Sequence, residues 1–192
     1  MNTYPQTLRW GFIGCGSVTE IKSGPAYRKV AGFDVTAVMC KNLGKAEDYA
    51  KRHSISHFYN DANQLINNPQ VDAVYIATPP DSHKEYAFQV AAAGKVCCIE
   101  KPMAPNYADC VDIVEAFDKE SIPLFVAYYR RSLPRFKQVK QWLENNAIGH
   151  IRHVSWHLVR PPYQRDFEDN YVWRTDPTIA FAGYFDDLAS HG

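Results

Sequence analysis

The stretch "GFIGCGSVTE" (residues 11–20) decides the fold. It belongs to the apolar run "LRWGFIG" (8–14) and leads into a helical pattern near 18–31. Gly14 and Gly16 form a G-x-G turn between strand and helix. The first glycine suits a tight turn. The second, lacking a side chain, lets a diphosphate approach the backbone. Free N–H groups at the start of the following helix favour negative charge there. Gly14, Cys15, Gly16, Ser17 and Val18 are therefore the expected cofactor-binding turn. Thr19 stands where a third glycine is usual, which predicts slightly looser helix–strand packing.

Beyond this turn, apolar runs alternate with helical patterns. Strands are expected at "FDVTAVMC" (33–40), "HFY" (57–59), "VDAVYIAT" (71–78), "KVCCIE" (95–100) and "IPLFVAYY" (122–129). Helices are expected at 45–53, 61–68, 81–94 and 106–120, with Asp61 and Asp81 as N-caps and Gly94 as a stop. Short apolar strands separated by helices argue for a parallel sheet covered on both faces. Residues 1–129 thus read as an α/β domain, a doubly wound Rossmann sheet that binds NAD(P). The pattern changes after that. A helix over 132–146 precedes the alternating run "HIRHVSWHLVR" (150–160), which predicts a strand with one exposed face. Residues 130–192 read as the incomplete start of a second domain.

Composition narrows the function classes. The 192-residue chain has 21 basic and 21 acidic side chains, so no long-range field draws it to nucleic acid or an acidic membrane. No apolar run reaches the ~18 residues that span a bilayer, and no secretory signal is visible. Five cysteines (15, 40, 97, 98 and 110) match neither a zinc spacing nor a disulfide framework, which predicts a reducing cytoplasm. Cys97 and Cys98 read as buried strand residues. His153 and His157 would suit a metal on a helix, but the alternation makes this a strand, and no metal site is expected.

The strand ends carry the chemistry, because ligands of an open α/β sheet bind outside the carboxyl ends of its strands. The second strand usually ends in an acidic residue about 20 residues beyond the glycines. Here it ends in Cys40 and Lys41. With no carboxylate to bond a ribose 2′-hydroxyl and a cation ready for a 2′-phosphate, the cofactor preference leans to NADP over NAD. Two further strand ends read "ATPPDSH" and "EKPMAPN". A lysine at the second can give a proton or hydrogen bond to a substrate oxygen while hydride moves at the adjacent carbon.

"WGFIGCGSVTEIKSGPA", "VDAVYIATPPDSHKEYA", "AAAGKVCCIEKPMAPN", "VAYYRRSLPRF" and "GYFDDLASH" occur in the order seen in Gfo/Idh/MocA oxidoreductases, which the chain resembles over nearly its whole length. The resemblance implies an NAD(P)-binding Rossmann domain and a second, α/β substrate domain with an open, mostly antiparallel sheet that often forms the dimer interface, hence a homo-oligomer. It places Lys101 on the catalytic lysine of a Glu-Lys-Pro motif, with Glu100 beside the cofactor. Asp187 and His191 fall on a catalytic D-x-x-x-H pair, and Thr78, Pro79 and His83 on a T-P-x-x-x-H cofactor loop. Trp173 and Arg174 resemble a pair that approaches the cofactor. The implied reaction is hydride transfer between nicotinamide and a sugar, polyol or related carbonyl or hydroxyl substrate. Family members continue well past the D-x-x-x-H helix, so a truncated chain is expected. The alternative is a dinucleotide-binding fragment, subunit or sensor without turnover. The Glu-Lys-Pro loop and the Asp/His pair argue against a Rossmann-type methyltransferase.

Overall fold

The computed structural model describes residues 7–157, 159, 161–162, 173–176, 178–179 and 183–189. They fall into two compact units, Met1–Ala127 and Tyr128–Gly192.

The first unit is a six-stranded, all-parallel sheet flanked by helices. Its strands are β1 (Leu8–Ile13), β2 (Phe33–Met39), β3 (His57–Tyr59), β4 (Ala73–Ile76), β5 (Val96–Ile99) and β6 (Leu124–Val126). They lie in the order β3-β2-β1-β4-β5-β6. The order reverses between β1 and β4, and a doubly wound sheet binds its ligand at that reversal, outside the carboxyl ends. Alternation along each strand feeds two cores. Trp10, Phe12, Val35, Ala73 and Tyr75 face one side, while Ile13, Ala37, Val74, Ile76, Cys97 and Ile99 face the other. Fully burying one of the larger of these, a Val, Ile or Phe, contributes about 1.5–3 kcal/mol.

Helices cover both faces. α1 (Ser17–Ile21), α2 (Ser23–Lys29) and α3 (Leu43–Arg52) follow the first two strands. Tyr27 of α2 and Tyr49 and Ala50 of α3 pack on the first core. α4 (Ala62–Ile66), α5 (His83–Ala92) and α6 (Tyr107–Lys119) pack on the second. Three helices start on side-chain caps: Asn42 accepts from Lys45 N–H at 3.1 Å, Asp61 from Asn63 N–H at 3.0 Å, and Asn106 from Asp109 N–H at 2.9 Å. Such a cap is worth about 0.5–2 kcal/mol.

Three sequence expectations need correction. The single helix near 18–31 is two helices that break at Lys22. Pro25 has no N–H to give the Ile21 carbonyl, and its ring crowds that carbonyl, so α1 stops there. Asp81 does not cap α5. A 3₁₀ turn over Pro80–Ser82 comes first, and Ser82 occupies the cap position with its hydroxyl turned back to the loop. Finally, the described residues of 150–160 form no strand. Alternation alone does not make one, since a strand needs a neighbour to take its backbone hydrogen bonds.

In the second unit, a 3₁₀ turn at Tyr129–Ser132 leads into α7 (Pro134–Glu144), and α8 (Tyr184–Ala189) lies near the end of the chain. Among the described residues no helix is long and apolar enough to cross a membrane.

Candidate functional site

The glycine turn is built by backbone contacts on both sides. Gly14 N–H donates to the Met39 carbonyl at 2.8 Å, and Ala77 N–H donates to the Ile13 carbonyl at 2.8 Å. Gly14 has φ +117°, and a Cβ there would lie 2.7 Å from the Ala77 oxygen. Gly16 differs. Its φ of −93° suits any residue, and a Cβ would meet nothing within 4 Å. Gly16 and Ser17 are exposed, Cys15 and Val18 half-buried. The second glycine thus opens onto free space, as a turn that admits a diphosphate must. α1 has only five residues, so its unpaired first-turn N–H groups, more than a long helix dipole, would meet the negative charge.

Thr19 corrects the expectation of looser packing. It is fully buried, and its hydroxyl lies 2.9 Å from the Gly16 carbonyl and 3.2 Å from that of Gly14. The threonine ties the turn to itself. Its own carbonyl accepts from Tyr49 O–H at 2.9 Å. The close approach passes to Gly24, where a Cβ would come within 2.1 Å of that same carbonyl.

At the end of β2, Lys41 is exposed and Cys40 half-buried. Lys41 lines a groove of about 280 Å³ with Met39, Asp61, Glu85, Tyr86 and Gln89. Cys15 lies beside it, with Sγ 3.7 Å from the Met39 carbonyl. Burial pushes its thiol pKa up to about 12 and that of Cys98 up to about 11, and raises that of Cys97. Burial thus favours the thiol form of Cys15, Cys97 and Cys98.

The loops after β4 and β5 are clamped together by His83. This side chain is fully buried. Its Nε2 lies 2.8 Å from the Thr78 carbonyl, and its Nδ1 lies 3.1 Å and 3.3 Å from the carbonyls of Pro102 and Met103. Read from the sequence as a cofactor-loop residue, His83 instead holds that loop against the Glu-Lys-Pro turn. On the Thr78 side, Ser82 Oγ lies 2.8 Å from Thr78 Oγ1. On the other, Glu100 N–H donates to the Ile76 carbonyl at 2.9 Å, and Lys101 N–H donates to Glu100 Oε2 at 3.2 Å. The Lys101–Pro102 peptide is cis. Thr78, Pro79, Glu100 and Lys101 are all half-buried. The sequence did not single out Tyr75, whose O–H donates to Glu100 Oε1 at 2.5 Å. The available signal was a tyrosine inside a buried apolar strand, since a buried phenol needs a partner.

Burial lowers the pKa of His83 below its ordinary 6.5, although the three carbonyls favour the charged ring. The unfolded chain therefore takes up this proton first. The contribution of neutral His83 to stability is complete above about pH 6.5 and falls away as pH drops toward the lowered folded-state value. Urea titrations between about pH 7.5 and pH 5.5 should show stability falling with acid, and His83→Gln should flatten that slope. An equal slope in the variant would assign the loss elsewhere.

In the second unit, Asp187 is held by Arg174, with Nε 2.7 Å from Oδ2 and both side chains mostly buried. The Arg174 guanidinium lies 4.2 Å from the centre of the Trp173 ring. The expected Trp-Arg pair thus includes the partner of the D-x-x-x-H aspartate. His191 lies outside the described residues. Among the described residues, no group of three metal-binding side chains occurs.

A 3-2-1-4-5-6 parallel sheet with a glycine turn after its first strand defines a Rossmann-type dinucleotide-binding domain. Residues 8–128 match the Gfo/Idh/MocA oxidoreductase family, described by its NAD-binding Rossmann fold, and the chain belongs to that family. It is 40% identical over 185 residues to oxidoreductase P35 of Formosa agariphila, covering 96% of this chain and 58% of the relative. It is 35% identical over 147 residues to inositol 2-dehydrogenase of Acidothermus cellulolyticus, covering 76% of this chain and 43% of the relative. A crystal structure of an NAD-binding oxidoreductase from Klebsiella pneumoniae superposes with a TM-score of 0.81 at 26% identity, over 96% of this chain and 51% of that one. The chain therefore spans about half the length of the proteins it matches.

Proposed function

We propose that this chain carries the cofactor half of an NAD(P)-dependent oxidoreductase acting on a sugar, polyol or related hydroxyl or carbonyl compound. The observation that carries this reading is a convergence at the switch point. The Gly14–Gly16 turn, the Thr78–Pro79 loop and the Glu100–Lys101 turn all follow the carboxyl ends of the neighbouring strands β1, β4 and β5. The inositol 2-dehydrogenase relative supports a polyol-like substrate.

Gly14 to Val18 would hold the pyrophosphate, and Cys40 and Lys41 the adenosine end. The bound nicotinamide supplies the hydride donor or acceptor. Lys101 polarises the reacting oxygen through Nζ and lends it a proton during reduction. His191 serves as general acid/base, and Asp187 orients it or binds a substrate hydroxyl. Arg174, stacked on Trp173, fixes Asp187, and the pair would help to hold the cofactor. The two units are, on this reading, the cofactor domain and the beginning of the substrate domain.

The cofactor preference follows from Lys41. A lysine about 4 Å from a phosphate gains ~1 kcal/mol in water and more at lower dielectric. Asp61 and Glu85 line the same groove and oppose part of that gain. NADPH should bind roughly fivefold tighter than NADH in fluorescence titrations. Equal or tighter NADH binding would sink the NADP preference. The same titration, followed by an absorbance screen over sugars and polyols, tests the whole proposal. Failure to bind either nucleotide overturns it, and binding without turnover on any substrate favours the non-catalytic alternative.

A further inference from the structure

Tyr75 is 1% exposed and sits in β4, yet its hydroxyl ends at the candidate active turn. The register explains how. Tyr75 pairs with Cys98 of β5, so the two side chains share a face of the sheet. Glu100 lies two residues beyond Cys98 and returns to that face. The long tyrosine side chain leans along β5, and its O–H reaches Glu100 Oε1. The other carboxylate oxygen, Oε2, accepts the main-chain N–H of Lys101. One carboxylate thus joins a core phenol to the lysine's backbone. The ring itself cannot swing, because Phe12 packs edge-on at 5.2 Å and Tyr27 lies 5.1 Å away.

A phenol is an expensive way to fill a core. Burying a hydroxyl costs free energy unless it is bonded, and phenylalanine fills nearly the same space without that cost. Burial, and then the nearby Glu100 charge, push the Tyr75 pKa above its ordinary value, so the group stays a donor at any working pH.

We propose that Tyr75 is a positioning residue for the Glu-Lys-Pro turn: its phenol fixes the Glu100 carboxylate and, through it, the backbone from which Lys101 reaches the substrate oxygen. The proposal rests on the reading of Lys101 given above, but its test does not depend on turnover.

The test uses Tyr75→Phe in the 192-residue chain, with Tyr27→Phe as control, since Tyr27 is a phenol of the same aromatic cluster that does not bond Glu100 in this structure. Acetic anhydride labelling with peptide mass spectrometry reads the rate at Lys101 relative to the other lysines. Tyr75→Phe should change that relative rate severalfold, and Tyr27→Phe should not. Glu100→Gln should move it in the same direction, without touching the core. In Tyr75→Phe nucleotide affinity should stay within about twofold, while kcat on any substrate turned over falls about tenfold or more. Unchanged Lys101 labelling in Tyr75→Phe, or equal changes in both tyrosine variants, would overturn the proposal. A shift in labelling with turnover that survives Lys101→Ala would uphold the positioning and reject the catalytic reading of Lys101 instead.

Discussion

Gly14→Ala is expected to destabilise the Rossmann unit by on the order of 3 kcal/mol, while Gly16→Ala leaves its stability nearly unchanged. The two glycines belong to one motif but answer to different constraints. At Gly14, φ is +117° and a Cβ would press on the Ala77 oxygen at 2.7 Å and the Ala77 carbon at 2.9 Å. Both contacts are backbone. Neither side can yield, because Gly14 is bonded to the Met39 carbonyl and Ala77 to the Ile13 carbonyl. Relief would have to come from parting β1 and β4 at the switch point. In a thermal melt the expected loss is about 10 °C. At Gly16 the new methyl enters open space, so the melt should match the wild type. Nucleotide affinity should fall at least about tenfold, because on the proposed reading that space admits the pyrophosphate. If both variants melted alike, or if Gly16→Ala bound nucleotide normally, the division of labour would be wrong.

Much of this unit could be read directly from the sequence because its signals are local. Each strand is a short apolar run closed by a turn, and each turn falls at a carboxyl end, so the sequence alone puts Gly14, Lys41, Thr78 and Lys101 at strand ends. What escaped depends on contacts far apart in the chain. Tyr75 looks like any core residue until its partner, 25 positions away, is known. His83 sits in a motif that suggests ligand contact, but its burial depends on how the loops after β4 and β5 fold over it. Thr19 looked like a defect in a glycine motif, and only the two turn carbonyls beside it give its hydroxyl a purpose. The pairing of Arg174 with Asp187 was equally hidden, although both residues had been singled out. The described residues of 150–160 form no strand, for the opposite reason. Their alternation was clear, but a local pattern cannot supply the neighbouring strand that would make it real.

Lys101→Ala is expected to cut turnover by ~10²–10⁴-fold, the usual contribution of a positioned acid/base group. That range corresponds to about 3–5.5 kcal/mol of transition-state stabilisation. The ground state should be little affected. The Gly14–Val18 turn and the groove at Lys41 are formed by other residues, so NADPH affinity should hold within a few-fold. Lys101→Arg separates charge from proton transfer. Arginine keeps the positive charge but does not release a proton at working pH, and its planar head needs a different approach to the oxygen. It should recover little of the lost rate. A large recovery by arginine would mean that the positive charge suffices and that no proton passes through this position. Near-normal turnover in Lys101→Ala would be more damaging. The reacting oxygen would then be served from the second unit alone, with Asp187 and His191 carrying the acid/base chemistry and the Glu-Lys-Pro turn reduced to a scaffold.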